Sequence, residues 1–223
     1  MPLDAIGFGA LNLDEFWEVP SSFLRVHGLK SGEEYVRDLE WFDRVYPRLR
    51  AQGKKIGVDP GGSAANMIAA LHRMGFETGF WGVTGETDAA SLRLEELGKP
   101  ENLNIFNSSL PAGRCLALLE ETDKGKDRTL VILPNANDRA GTRVIDCAFF
   151  RQARWVHMTS FVSSTVLVAQ AAVAESLPTL TRLSFDPGAV YCKHGMETLM
   201  PVLKHTQVLF LTGRELAMLT SSS

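Results

Sequence analysis

From Asp138 onward the chain repeats one pattern. A helical run over about 143–152 precedes the apolar strand WVHM, one over about 164–176 precedes RLSF, and one over about 195–204 precedes QVLFL. A further helix begins near Gly213. Parallel strands need a crossover rather than a tight turn, so strand–helix alternation with short joints predicts a parallel sheet with helices on both faces. The last helix has barely begun when the sequence stops, and an α/β sheet ending mid-unit is what a piece of a longer protein would give.

The first half is less regular. A short apolar strand, AIGFGAL, leads to Asn12 and Asp14. Residues 31–52 read as one helix: Ser31 and Glu34 have capping-box spacing, and Tyr35, Leu39, Phe42, Val45 or Tyr46, and Leu49 form a stripe. Pro47 should kink that helix and Gly53 end it. A second helix runs from about Ala64 to Met74 with a stripe of Met67, Ile68, Leu71 and Met74, and the strand TGFWGV follows. The stretch 85-GETDAASLRLEELG-98 reads as a turn into an amphipathic helix. GRCLALLEE and RTLVILPN flank DKGKD and predict a β-hairpin, set apart as a small sheet.

The segment 59-DPGGSAANMIAALHRMG-75 is the chemical centre of the sequence. Ser63 is a suitable N-cap, its oxygen reaching the backbone N–H near Asn66. Gly61 and Gly62 open backbone conformations closed to other residues and leave room for a ligand. Side chains lean toward a helix N-terminus, so Asn66 can aim its amide back over the glycines. One amide offers two donors and an acceptor, which suits a polyhydroxylated ligand. A plain helix start after a Gly-Gly turn explains the same residues equally well. Asn12 and Asp14 follow the first strand, where open α/β sheets bind ligands, and a carboxylate there can accept from two adjacent hydroxyls. The alternative for Asp14 is an exposed turn residue. GFGALN holds only part of a dinucleotide fingerprint, since Asn12 replaces its third glycine.

Together, Gly9-Ala-Leu-Asn12-Leu-Asp14, PGGSAANMIAALHRMGFETGFWGVTGETD, the GRCLALLEE/RTLVILPNAND hairpin and FLTGRELAML resemble the ribokinase-like (PfkB) family of carbohydrate and nucleoside kinases. The insert FLRVHGLKSGEEYV is similar to the branch that includes adenosine kinases. The resemblance implies a three-layer α/β fold over residues 1–223 with a β-sheet lid from about 10–20 and 103–137. It implies that Asn12, Asp14, Gly61, Gly62, Ser63 and Asn66 form the sugar pocket, and that Asn135 and Asn137 lie at the lid's return to the core. Asp186 in SFDPG and Glu215 would face the nucleotide and magnesium. Thr212 replaces the asparagine of the family's Asn-x-x-Glu motif, and its hydroxyl could still hold a water. ATP and Mg2+ would be the cofactors, a sugar or nucleoside the partner, and a homodimer through the lid a possible assembly.

The family's second signature, Gly-Ala-Gly-Asp, which supplies the catalytic base and anion hole, is nowhere in these 223 residues. The resemblance therefore implies ATP-dependent phosphoryl transfer to a hydroxymethyl group by the intact protein, with this chain inactive as written. A natural short sugar-binding or lid-paired dimerising module is the other reading.

Composition excludes other classes. A formal net charge of −3 offers no basic face for nucleic acid. No apolar run is long enough to span a membrane. The N-terminus lacks a basic n-region, so a cytoplasmic protein is expected. Cys115, Cys147 and Cys192 are widely spaced and expected as free thiols. The histidines lack ligand spacing, with His157 expected as a satisfied core residue, and no Gly-x-Ser-x-Gly elbow marks a hydrolase. Lys124, Lys126 and Arg128 read as a solvated turn, and the methionines as core filling.

Overall fold

The structure, a computed structural model, describes residues 2–85, 92–122 and 125–220. Its strands are β1 (Leu3–Phe8), β2 (Asn12–Glu18), β3 (Glu34–Val36), β4 (Lys54–Gly61), β5 (Thr78–Gly85), β6 (Leu103–Ser108), β7 (Gly113–Thr122), β8 (Gly125–Leu133), β9 (Ala153–Thr159), β10 (Arg182–Asp186) and β11 (Val208–Leu209). Its helices are α1 (Ser21–Val26), α2 (Leu39–Gln52), α3 (Ser63–Arg73), α4 (Cys147–Phe150), α5 (Ser164–Ser176), α6 (Gly188–Cys192), α7 (Gly195–Leu203) and α8 (Gly213–Thr220).

Six strands form a parallel sheet in the order β11-β10-β9-β1-β5-β6. Side chains alternate across it. Ile6, Phe8, Val156, Met158 and Phe185 pack on one face with Val166 and Val173 of α5 and Leu199 and Val202 of α7. Ala5 and Phe80 pack on the other with Ala64, Ala65 and Ile68 of α3. The chain moves outward from β1 through β5 to β6, then returns to the other side of β1 and proceeds through β9, β10 and β11. That reversal opens a crevice at the carboxyl ends of β1 and β9, the usual ligand position in open α/β sheets.

Five strands form a second sheet in the order β3-β8-β7-β2-β4, with β2–β4 and β7–β8 antiparallel. One face packs Trp17, Leu116, Leu118, Val131 and Leu133 against α1 and α2 through Phe23, Trp41, Val45 and Leu49. Inside that layer Glu15, 1 % exposed, accepts from Trp17 Nε1, the Tyr46 hydroxyl and Arg114, and pairs with Lys55 at 3.0 Å. Burial pushes its carboxyl up, but Lys55, Arg114 and Tyr46 together hold it below the usual range. Among the described residues no helix is long and apolar enough to cross a membrane.

Several expectations are corrected. Residues 31–52 are not one helix. Ser31 Oγ donates to Asp127, Gly32 turns with φ +75°, and Glu34–Val36 pairs with β8. The helix starts only at Leu39, capped by Asp38, whose side chain accepts from Trp41 N. Cross-strand pairing outcompetes the local capping box there. Pro47 does lie inside α2, and Gly53 caps its end. In α3 the buried side is Ala64, Ala65, Ile68 and Ala69, while Met74 is exposed; small residues let the helix sit close to the sheet. β1 ends at Phe8, and α4 is shorter than 143–152. β6 belongs to the parallel sheet, not to the lid region of 103–137, whereas β3 and β4 join the second sheet unforeseen. Much of the helix expected in 85–98 lies outside the described residues, beyond which a short 3-10 turn, Leu94–Glu96, is seen. His157 is buried and bonded to Ser184 Oγ, as expected, and burial lowers it to about 4. All three cysteines are free.

Candidate functional site

The second sheet turns its other face toward the crevice, and between the two lies a cavity of about 440 Å3. The sheet contributes Asn12, Asp14 and Phe16 from β2, Cys115 and Ala117 from β7, Leu130 and Ile132 from β8, and Glu34 from β3. These are same-face positions, as the two-residue period of a strand requires. The core contributes Gly62, Ser63 and Asn66, Thr159 to Val162 after β9, and Asp186 and Gly188 after β10. Glu215 at the start of α8 closes the rim.

Asp14 is the electrostatic focus. Its Oδ1 is buried with no hydrogen-bond partner. Burial raises its carboxyl to about 6; the Arg128 guanidinium pulls it down and the Asp59 carboxylate, its cross-strand neighbour, pushes it up. An orphaned buried acceptor is costly in a folded chain and marks a place where a ligand's donor belongs.

The glycines create that place in two ways. A Cβ on Gly61 would sit 2.2 Å from the Asp14 carboxylate, so only glycine lets the acid rest against β4. Gly61 is therefore behind Asp14 rather than lining the cavity. Gly62 has φ +105°, and a Cβ there would sit 2.1 Å from the Ala10 carbonyl oxygen. Gly62, not Ser63, caps α3: its carbonyl accepts from Asn66 N at 2.9 Å, and Ser63 makes no capping bond. The Ser63 hydroxyl and Asn66 amide are thus left exposed on the cavity wall.

Asn137 is 3 % exposed and ties the β1–β2 joint to the segment after β8. Its Oδ1 accepts from Leu11 N at 3.1 Å, and its Nδ2 donates to Leu11 O at 3.0 Å and to Asn12 Oδ1 at 2.9 Å. With its oxygen engaged, Asn12 presents its NH2 as the available group. Asn135, at φ +47°, donates to Ala112 O and faces a separate open cleft of about 940 Å3 beside α2. It holds a left-handed backbone turn and does not line the Asp14 cavity.

On the opposite wall Asp186 Oδ1 accepts from Gly188 N at 3.1 Å. Burial and the nearby Glu215 charge raise its carboxyl, while the Gly188 N–H lowers it. Thr212 lies outside the cavity lining. Its Oγ1 accepts from Glu215 N at 3.2 Å, and its N–H donates to Glu215 Oε2 at 2.7 Å, a reciprocal capping box. Its hydroxyl is therefore engaged by the helix start. Lys126 is exposed, as expected, and pairs with Glu18 at 2.9 Å, while Arg128, also exposed, reaches the cavity lining; sequence reading missed Arg128, Glu34 and Cys115 as cavity residues, since their placement depends on β-register. Lys124 lies outside the described residues.

Residues 31–223 match the pfkB family of carbohydrate kinases. An uncharacterized sugar kinase of Archaeoglobus fulgidus is 25% identical over 151 residues, covering 68% of this chain and 60% of that protein. An ATP-dependent ribose-1-phosphate kinase of Halopiger xanaduensis is 31% identical over 165 residues, covering 71% of this chain and 52% of that protein. The chain thus spans little more than half the length of these relatives. Among solved structures, Anopheles gambiae adenosine kinase superposes with a TM-score of 0.80 at 17% identity, covering 97% of this chain and 66% of that one. Arabidopsis thaliana ribokinase superposes with a TM-score of 0.66 at 17% identity, covering 99% and 64%. The fold is ribokinase-like, and the chain belongs to the pfkB family of carbohydrate kinases.

Proposed function

We propose that the whole protein transfers the γ-phosphoryl group of ATP to a hydroxymethyl group of a sugar or nucleoside, and that this cavity is the acceptor site. The observation that carries the reading is the unpartnered, buried Oδ1 of Asp14, facing a cavity shared with Asn12, Ser63 and Asn66. An ionised Asp14 accepts from two neighbouring hydroxyls, Asn12 donates its NH2, and Asn66 and Ser63 serve the remaining ring oxygens. Asn137 fixes Asn12 before the ligand arrives. The second sheet acts as the lid: its apolar residues Phe16, Leu130 and Ile132 exclude water that would otherwise compete for the phosphoryl group.

Asp186 and Glu215 face the same cavity, and each keeps carboxylate capacity beyond its one backbone bond. Two hard oxygen donors fit Mg2+, which would keep several waters and be shared with nucleotide phosphates, where it would neutralise their charge. Because Gly-Ala-Gly-Asp is absent from these 223 residues, the chain alone binds and orients the acceptor without turning it over.

Calorimetric titration of the chain with ribose and with adenosine tests the site. Binding of either that disappears in Asp14→Asn is expected; a variant that binds as well as the parent refutes the assignment. Turnover of either ligand with ATP and Mg2+, abolished by Asp14→Ala, would overturn the claim that the chain alone does not catalyse.

A further inference from the structure

Gln170 sits where the core is otherwise apolar. It is fully buried on the face of α5 that also carries Val166, Val173 and Ala174. A leucine would suit that face, whereas an amide taken out of water must find partners. Gln170 has two. Its Nε2 donates to Thr159 O at 2.8 Å, and its Oε1 accepts from the Tyr191 hydroxyl at 3.1 Å. Tyr191, also fully buried, lies in α6. Burial pushes its hydroxyl up, and a hydrogen bond from the Phe161 backbone pulls it down. Thr159 carbonyl, Gln170, Tyr191 and Phe161 N–H thus form one chain of bonds that begins and ends in the same loop.

That loop follows β9, and α6 follows β10. Both line the cavity, the first through Thr159 to Val162 and the second through Gly188 to Val190. The two strands hold each other as far as Thr159 and Asp186, which are register partners, and Ser160 N donates to Asp186 O at 3.2 Å. The sheet ladder ends there, and the Gln170–Tyr191 link carries the connection past it. Gln170 and Tyr191 themselves stand behind the wall and do not line the cavity.

Resting on the acceptor-site reading above, we infer that Gln170 and Tyr191 are positioning residues for the core wall of the cavity: they hold the turn at Phe161 and Val162 at a fixed separation from the start of α6, so that this wall is formed before a ligand arrives. A buried polar network with its members satisfied rigidifies what it joins, and a preformed wall spares the ligand the cost of ordering it. The plain alternative is that the amide only satisfies a carbonyl at the end of β9. That accounts for the Gln170–Thr159 bond and gives Tyr191, with its bonds to both Gln170 and Phe161, no part.

The test compares the parent with Tyr191→Phe, Gln170→Leu and the double variant, by nitrogen-15 relaxation without ligand and by calorimetric titration with ribose and adenosine. Tyr191→Phe removes a single oxygen and decides the matter should Gln170→Leu not fold. Well below the melting temperature, a loss of global stability alone moves neither ligand affinity nor native-state backbone dynamics. Microsecond-to-millisecond exchange is expected at residues 160–162 and 188–190 in each folded variant and not in the parent. Affinity for whichever ligand the parent binds is expected to fall about tenfold, and no further in the double variant than in the worse single one, because the two side chains act as a unit. Variants that melt earlier but keep parent-like affinity and quiet loops overturn the inference, as do affinity losses that add in the double variant. A folded parent that binds neither ligand removes the acceptor-site reading. The relaxation measurement needs no ligand and then decides this inference by itself: quiet loops in Tyr191→Phe overturn it, and mobile ones uphold the pair as the support of this wall.

Discussion

Gly61 and Asp14 occupy one space: a Cβ on the glycine would lie 2.2 Å from the carboxylate of the acid, across the β2–β4 pairing. The acid's position is thus set by an absent side chain on the neighbouring strand. Gly61→Ala is expected to leave the fold standing at a cost of about 1–3 kcal/mol. It should displace the carboxylate and weaken ribose or adenosine binding roughly tenfold or more, read by calorimetry beside a chemical-denaturation curve. Unchanged affinity would show that Asp14 does not contact the ligand.

Asp14 has its carboxyl raised to about 6, chiefly by burial, from an ordinary value of 3.8. The folded chain therefore holds the proton more tightly than the unfolded chain, and this group's stabilising effect is lost as pH rises from about 4 through 6. Asp14→Asn should be more stable than the parent at pH 7 by about 1–2 kcal/mol after allowance for solvent, with the difference vanishing below about pH 4. Ligand affinity of the parent should run the other way, rising between pH 5 and 7 as the acid ionises. Melting temperature and titration over that pH range check both signs.

Asn137 makes three hydrogen bonds that close the β1–β2 joint. Asn137→Ala leaves the Leu11 N–H and C=O without partners in a buried setting and is expected to cost about 2–4 kcal/mol. Asn137→Asp keeps an acceptor for Leu11 N but loses both donations and brings a buried charge, so it should be worse at pH 7 than at pH 4. Urea unfolding at the two pH values distinguishes the variants.

Thr212 and Glu215 hold the first turn of α8 through reciprocal bonds. Thr212→Ala should cost about 0.5–2 kcal/mol of local stability, visible as faster amide exchange across Gly213–Thr220. Thr212→Asn, which restores a good cap, should keep protection near the parent level. Equal exchange in all three would show that the box does not support the helix.

The parallel sheet was legible because its signal is local: WVHM, RLSF and QVLFL are apolar runs bounded by helices, and each appears as β9, β10 or β11. Asn12, Asp14 and Asn66 were legible as a polar set beside paired glycines, and the structure brings them to one cavity. What stayed hidden depends on contacts distant in sequence. β3 exists because β8 offers it a partner, and nothing within SGEEYV announces that. The role of Gly62 over Ser63 at the α3 start follows from a positive φ set by the approach of Ala10. Arg128 looked like part of a charged turn because its face is decided by the pairing of β7 with β8.

Glu15 and Asp14 are consecutive carboxylates on one strand, the first clasped by Trp17, Tyr46, Lys55 and Arg114, the second left open. A slip of β2 by one position would exchange them, driving the open acid into the aromatic layer and exposing the clasped one. In the folded chain the clasp thus pins the alignment of the strand: its four partners meet an acid only at the odd position, and the even-numbered acid faces the crevice as a consequence.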